Sequence, residues 1–122
     1  TLCHCRCSRR GSGGTNVAWA VFEAADFEWT KSEPADFSSS PGIHWLFCPG
    51  CGSLVGYRRA SRPGHMDVTT RTLDDPDLFP PAVEIWLDHR IGWETLNPDL
   101  PKRPQSSLNA PEAWRPDRTG SC

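Results

Sequence analysis

Three cysteines open this chain at alternating positions, Cys3, Cys5 and Cys7, in the stretch TLCHCRCSRR. Alternate residues of an extended segment project to one side, so these sulfurs are expected to converge while His4 points away from them. Thiols this close in sequence are poorly placed to pair with one another as disulfides. A shared electrophile, first of all a metal ion, suits them better. A second sulfur pair lies in FCPGCGS, residues 47–53, where Cys48 and Cys51 form a C-x-x-C. A tight turn there brings two thiolates to one ion with backbone N–H groups aimed at the sulfurs, the arrangement of a zinc knuckle. A redox C-x-x-C calls for a helix starting at the motif, whereas Gly52 leads into a strand-like run. A closed structural zinc takes four ligands, so Cys48 and Cys51 need partners, and the opening cluster is the first candidate. Cys122 ends a tail, and His44, His65 and His89 lie in or beside strand-like segments, where a packed or surface histidine is the commoner outcome.

The elements that position these groups read as strands joined by turns. VAWAVF (17–22) is rich in β-formers and FEWT (27–30) alternates apolar and polar. SSSPG (38–42) is turn chemistry, with Pro41 and Gly42 as the central pair of a type II turn. IHWLFC (43–48), SLVGYRR (53–59), HMDVTTR (65–71) and AVEIWLD (82–88) supply four further strands, the first two as a hairpin across the C-x-x-C. DDPDLF (74–79) suits one helical turn with Pro76 early in it. Twelve prolines and ten glycines, with no 3.6-residue apolar stripe, argue against a helical protein. The fold class expected is mainly β. Trp19, Trp45, Trp86 and Trp93 fall in or beside the strands as core or cleft-wall aromatics.

At 122 residues the chain supports one domain with a modest core. A net charge of −2 gives no electrostatic case for nucleic acid or an anionic membrane surface. No apolar run approaches the roughly 20 residues that span a bilayer. The expected setting is soluble and cytoplasmic, where clustered cysteines read as metal ligands or redox groups. The chain starts with Thr1 rather than Met, which suggests an incomplete N-terminus. From Pro101 to Cys122 it is rich in Pro, Ser and charge and reads as a tail, with Trp114 its one large apolar residue.

Taken together, the early CHC followed by RR, the stretch SSSPGIHWLFCPGCGSLVGYRR, and DVTTRTLDDPDLFPPAVEIWLDHRIGW resemble the glutathione-dependent formaldehyde-activating enzyme family, which includes centromere protein V. The resemblance runs from Cys3 to about Trp93. It implies a mainly β zinc fold of several bent antiparallel sheets, a β-tent-like domain over residues 1–100 whose N-terminal part is missing, with 101–122 as the tail. It further implies two zinc sites. One is structural and uses an early C-x-C with the later C-x-x-C, here Cys48 and Cys51. The other is open and formed by a C-H-C-x-x-C segment, whose C-H-C is here Cys3, His4 and Cys5. The implied reaction joins formaldehyde to glutathione in S-(hydroxymethyl)glutathione, a carbon–sulfur lyase chemistry. A zinc held by three thiolates can accept a fourth sulfur and keep it deprotonated at neutral pH. Arg6, Arg9 and Arg10 stand near enough in sequence to attract the carboxylates of such a thiol.

Two departures from the family pattern concern the metal. The early C-x-C has no counterpart after Thr1, which leaves a single hybrid site of Cys3, Cys5, Cys48 and Cys51 as an alternative arrangement. Counting back from VAWAVF without a gap puts Ser8, not Cys7, at the third ligand position of the open site, and a one-residue shift in a strand reverses its face. Glu84 stands where relatives commonly have His. The metal-ligand candidates are therefore Cys3, Cys5, Cys7, Cys48 and Cys51, with one or two zinc ions, and Arg9 and Arg10 are the co-substrate candidates. The leading reading is a zinc-dependent enzyme that joins formaldehyde, or a similar aldehyde, to glutathione or another small thiol. The alternatives are a catalytically silent zinc scaffold that binds a partner, and a thiol redox protein using Cys48 and Cys51.

Overall fold

The computed structural model describes residues 1–106. Its chain order is strand β1 (Leu2–Cys3), helix α1 (Arg6–Ser12), then strands β2 (Val17–Glu23), β3 (Ala35–Ser40), β4 (Ile43–Phe47), β5 (Leu54–Arg59), β6 (His65–Thr69) and β7 (Glu84–Ile85). The strands form one mixed sheet in the order β3-β4-β5-β6-β2-β1-β7. Every pairing is antiparallel except that of β1 with β7. The fold is thus mainly β, with one sheet in place of the several sheets expected. Two compact units divide the chain, one of Thr1–Ala18 with the chain from Pro80 on, the other of Trp19–Phe79.

In the first unit β1 is short but held on both sides. Leu2 and Cys3 pair with Ala18 and Val17 of β2, and with Glu84 and Ile85 of β7. Cys3, Val17, Ala18 and Ile85 are its buried apolar residues. Extended backbone then ends within two residues. Cys5 is the N-cap of α1, where its sulfur accepts a hydrogen bond from the Ser8 N–H, and Gly13 closes the helix with a left-handed φ of 71°. Gly suits that C-cap because it has no Cβ to strain. Residues 101–105 run beside β7: Glu84 N–H donates to Pro101 O, Arg103 N–H to Glu84 O, and Trp86 N–H to Gln105 O. The sequence-expected strand over 82–88 shrinks to Glu84–Ile85, because Trp86 adopts a left-handed φ of 62° and a 3₁₀ turn, Leu87–His89, comes directly after it.

The second unit is an antiparallel arrangement of β3, β4, β5, β6 and the later part of β2. Trp19, Trp45, Leu46 and Val68 are buried in it. Trp19, Trp45 and Tyr57 form a three-ring cluster with centroids 4.9–6.3 Å apart. Gly56 sits in close packing, since a Cβ there would lie 3.3 Å from both Leu46 Cδ1 and Asp67 O. Residues 27–30, expected as a strand, are not one, and Ala35–Ser40, read partly as a turn, forms the strand β3. The turn at 41–42 holds, with Gly42 at φ 73°. The helical turn expected near Pro76 is the 3₁₀ segment Pro76–Leu78.

Candidate functional site

The opening cluster divides between two kinds of backbone. Cys3 lies on β1 and Cys5 caps α1, so the turn from strand to helix, rather than β alternation, brings their sulfurs together. Ser8, buried in the first turn of α1, links them. Its Oγ lies 3.2 Å from Cys5 Sγ and 3.5 Å from Cys3 Sγ, and its N–H donates to Cys5 Sγ at 3.3 Å. The pair is best described as sharing one proton. The hydrogen bond from Cys3, with those from the Ser8 hydroxyl and N–H, brings the Cys5 thiol down to about 6 against the opposing effect of burial. The same bond to Cys5, then burial and the Cys5 charge, push Cys3 far up. The pair is thereby polarised, with Cys5 pushed toward the thiolate and Cys3 toward the thiol.

Cys7 does not share this arrangement. It is the second residue of α1, half-buried, and is not among the free thiols of the described residues, which are Cys3, Cys5, Cys48 and Cys51. Ser8, one residue further on, is the side chain that meets both sulfurs. Arg9 and Arg10 occupy the last turn of α1.

His4 faces away from the sulfurs into a buried carboxylate network. Its Nδ1 is 2.9 Å from Glu94 Oε2 and its Nε2 is 3.6 Å from Glu84 Oε1, with His4 at 0% and Glu84 at 1% exposure. Asn16 Nδ2 donates to the other Glu94 oxygen, Asn97 N–H donates to Glu84 Oε1, and Lys102 Nζ lies 3.8 Å from Glu84 Oε2. Burial would raise the Glu94 carboxyl; the hydrogen bonds from Asn16, His4 and Thr15 outweigh it and hold the group below its usual range. The network fixes the residue between the two thiols. Glu94 and Asn16 escaped the sequence reading, since Glu94 meets His4 across 90 positions and neither stands in a motif.

The second sulfur pair lies in the other unit, in the loop between β4 and β5. Cys48 N–H donates to Ser53 O and Gly52 N–H to Cys48 O, both at 2.8 Å, which closes the tight turn read from the sequence. Cys51 is exposed, and its thiol is lowered by the Ser53 hydroxyl and N–H and by the Cys48 side chain. No helix starts at the motif.

Comparison with known proteins is decisive on one point. The family model for glutathione-dependent formaldehyde-activating enzymes matches residues 1–89. The chain belongs to this family. No curated protein matches it. Family membership carries a formaldehyde-activating, glutathione-related function at family level, with a small thiol and an aldehyde as substrates.

The zinc expected of a family member can be tested against the donors present. Cys3 and Cys5 offer two sulfurs held together by Ser8 Oγ, which suits a thiophilic ion. Cys48 and Cys51 offer two more in their own unit. Neither pair reaches the four ligands of a closed site. Among the described residues no group of three or more His, Cys, Asp or Glu side chains is placed to hold a metal ion. None of the described helices is long and apolar enough to cross a membrane.

Proposed function

We propose that this chain joins formaldehyde, or a similar small aldehyde, to a small thiol such as glutathione, a carbon–sulfur lyase-type reaction carried out at Cys3, Cys5 and Ser8. The observation that carries this reading is the pair of sulfurs bridged by one buried hydroxyl. The reaction forms one S–C bond between the thiol sulfur and the aldehyde carbon, while the thiol proton passes to the carbonyl oxygen to give an S–CH₂–OH product. Little more is required than alignment and a path for that proton, because the carbonyl is already strongly electrophilic. Ser8 Oγ is the group placed to hand the proton on, since it reaches both sulfurs and exchanges donor and acceptor roles without moving. His4, held between Glu94 and Glu84, fixes the backbone from Cys3 to Cys5. Arg9 and Arg10 supply positive charge for the carboxylates of the thiol.

Zinc belongs to the same proposal. Cys3 and Cys5 would hold one ion with positions left for an incoming thiol, which the ion would keep deprotonated. Cys48 and Cys51 would hold a structural ion with ligands beyond their own loop. A second reading, a silent zinc scaffold, is favoured by Ser8 standing where a third thiolate would complete the open site.

The test is the rate of hemithioacetal formation from isotopically labelled formaldehyde and glutathione, followed by NMR exchange against the uncatalysed background. The expected result is acceleration by the protein and its loss in Cys5→Ala with the fold intact. A rate equal to background in the unmutated protein would favour the scaffold.

A further inference from the structure

On the second unit four aromatic rings form a chain outside the buried core of Trp19, Trp45, Leu46 and Val68. Phe22 of β2 meets Phe27 at 6.1 Å and Phe79 edge-on at 5.6 Å, and Phe27 meets Trp29 edge-on at 4.9 Å. Phe22, Phe27 and Trp29 are half-buried, while Leu78 and Phe79 are 69% and 39% exposed. The segments that carry these side chains are held in place. Ala24 N–H donates to Gly64 O and Phe27 N–H to Ala24 O, and Pro76 opens a 3₁₀ turn that Phe79 N–H closes on Pro76 O. A satellite cluster that served only to pin a loop would turn its largest side chains inward. Contiguous aromatic surface left open on a fixed backbone has the composition of an interface core.

Charge decides what such a surface takes. Residues 22–34 and 71–79 carry seven carboxylates against Lys31 and Arg71, a local net charge of −5 in a chain whose total is −2. Asp26 and Glu28 flank Phe27, and Asp77 precedes Leu78. Among the described residues Asp26, Glu28, Glu33, Asp74, Asp75 and Asp77 enter no ion pair, and of this group only Glu23 reaches a basic side chain, His65, at 3.9 Å. Exposed carboxylates are well screened in water, but an approaching apolar group excludes that water and strengthens their pull on a cation. The rings beside them also accept a guanidinium on their faces.

We propose that Phe22, Phe27, Trp29, Leu78 and Phe79 form a docking surface for a basic segment of a partner protein, one that lays an apolar anchor against the rings and sets arginine or lysine side chains on the neighbouring carboxylates. The proposal goes beyond the thiol–aldehyde reading and asks nothing of the sulfur cluster. Attraction between an acidic surface and a basic segment steers the encounter and fixes its register, while the rings supply the desolvated centre. A second copy of this chain fits less well, because its arginine-rich helix Arg6–Ser12 offers no large apolar side chain as the anchor.

The probe is a short fluorescein-labelled peptide of arginine and lysine around a tryptophan, titrated with the full chain and followed by anisotropy. The expected result is saturable binding that weakens about tenfold or more when serine replaces the tryptophan of the peptide. Leu78→Ser/Phe79→Ser should cost the protein a similar factor. Asp75→Lys/Asp77→Lys, which changes exposed side chains only, should weaken binding as much and flatten its dependence on salt. Phe79→Ser also removes the edge contact with Phe22, so the charge variant keeps the test decisive if the other protein unfolds. Absence of binding, equal affinity for the tryptophan and serine peptides, or affinity unchanged in the charge variant overturns the surface. So does sedimentation of the unmutated chain as a dimer that Leu78→Ser/Phe79→Ser separates, which would give the face to a second copy.

Discussion

Ser8 grips the sulfur of Cys5 twice, through its N–H at 3.3 Å and with its hydroxyl at 3.2 Å. One residue thus closes the first turn of α1 and stabilises the anion that caps it. Removing the hydroxyl while keeping the backbone should raise the Cys5 pKa. A hydrogen bond to a charged group is worth about 1.5–3 kcal/mol, and one pKa unit is about 1.4 kcal/mol, so Ser8→Ala should move it up by about one to two units. The pH profile of iodoacetamide alkylation at Cys5, read by mass spectrometry, measures this. A profile that stays in place in the variant would show that the hydroxyl does not stabilise the thiolate.

Much of the scaffold for this pair was legible in the sequence, and the pair's own geometry was not. Strands β2, β4, β5 and β6 fall where apolar and β-branched runs placed them, because antiparallel strands with one packed face write their register into local pattern. Helix α1 left no such trace. Its seven residues include no apolar stripe, and its N-cap is a cysteine in place of the usual Ser, Thr, Asp or Asn. The alternation argument for Cys3, Cys5 and Cys7 therefore predicted the right neighbours for the first two through the wrong geometry. Ser8 was marked only by counting back from Val17 without a gap. The contact of His4 with Glu94 joins residues far apart in sequence, and no short window contains such information. Trp86 broke the expected last strand through a backbone angle that aromatic residues rarely adopt. The readings for Trp114 and Cys122 concern positions outside the described residues.

Glu94 should give acid denaturation a recognisable component. Its folded-state pKa is depressed, so its contribution is fully present above the unfolded value of about 4.3 and is lost as pH falls through the folded value. Glu94→Gln keeps an acceptor for His4 but removes the charge, and should cost about 2 kcal/mol at pH 7. The gap in urea-unfolding free energy between the two proteins should narrow as pH drops from about 5 to about 3. Parallel curves across that range would show that the carboxylate is not coupled to folding.

Trp86 offers a test of backbone strain separate from side-chain chemistry. Trp86→Ala loses the stack on His89 and leaves a Cβ at φ 62°, whereas Trp86→Gly loses the stack and relieves the strain. Glycine usually destabilises by loosening the unfolded chain, but at a left-handed position the order reverses by about 1 kcal/mol. Thermal unfolding should therefore rank the glycine variant above the alanine variant. The opposite order would mean that the residue relaxes to ordinary angles once the indole is gone.

Metal content decides how the two sulfur pairs divide their work. Each pair brings two thiols, so any zinc bound in the protein needs further donors, from an incoming thiol, from solvent or from another segment. Because thiolate ligands release protons on binding, Cys5, whose thiol is lowered by Cys3 and Ser8, should load at lower pH than an unperturbed thiol would. Protein purified without added metal should contain zinc by elemental analysis, and Cys5→Ala should lose an ion that Cys48→Ala retains. That result, with chelator-treated protein regaining glutathione-dependent formaldehyde turnover only on zinc addition, would assign the ion at Cys3 and Cys5 to catalysis. Zinc that disappears equally with either cysteine would instead place both pairs on one ion. The opening cluster would then be part of a scaffold, and the proposed reaction at Cys5 would have to be abandoned.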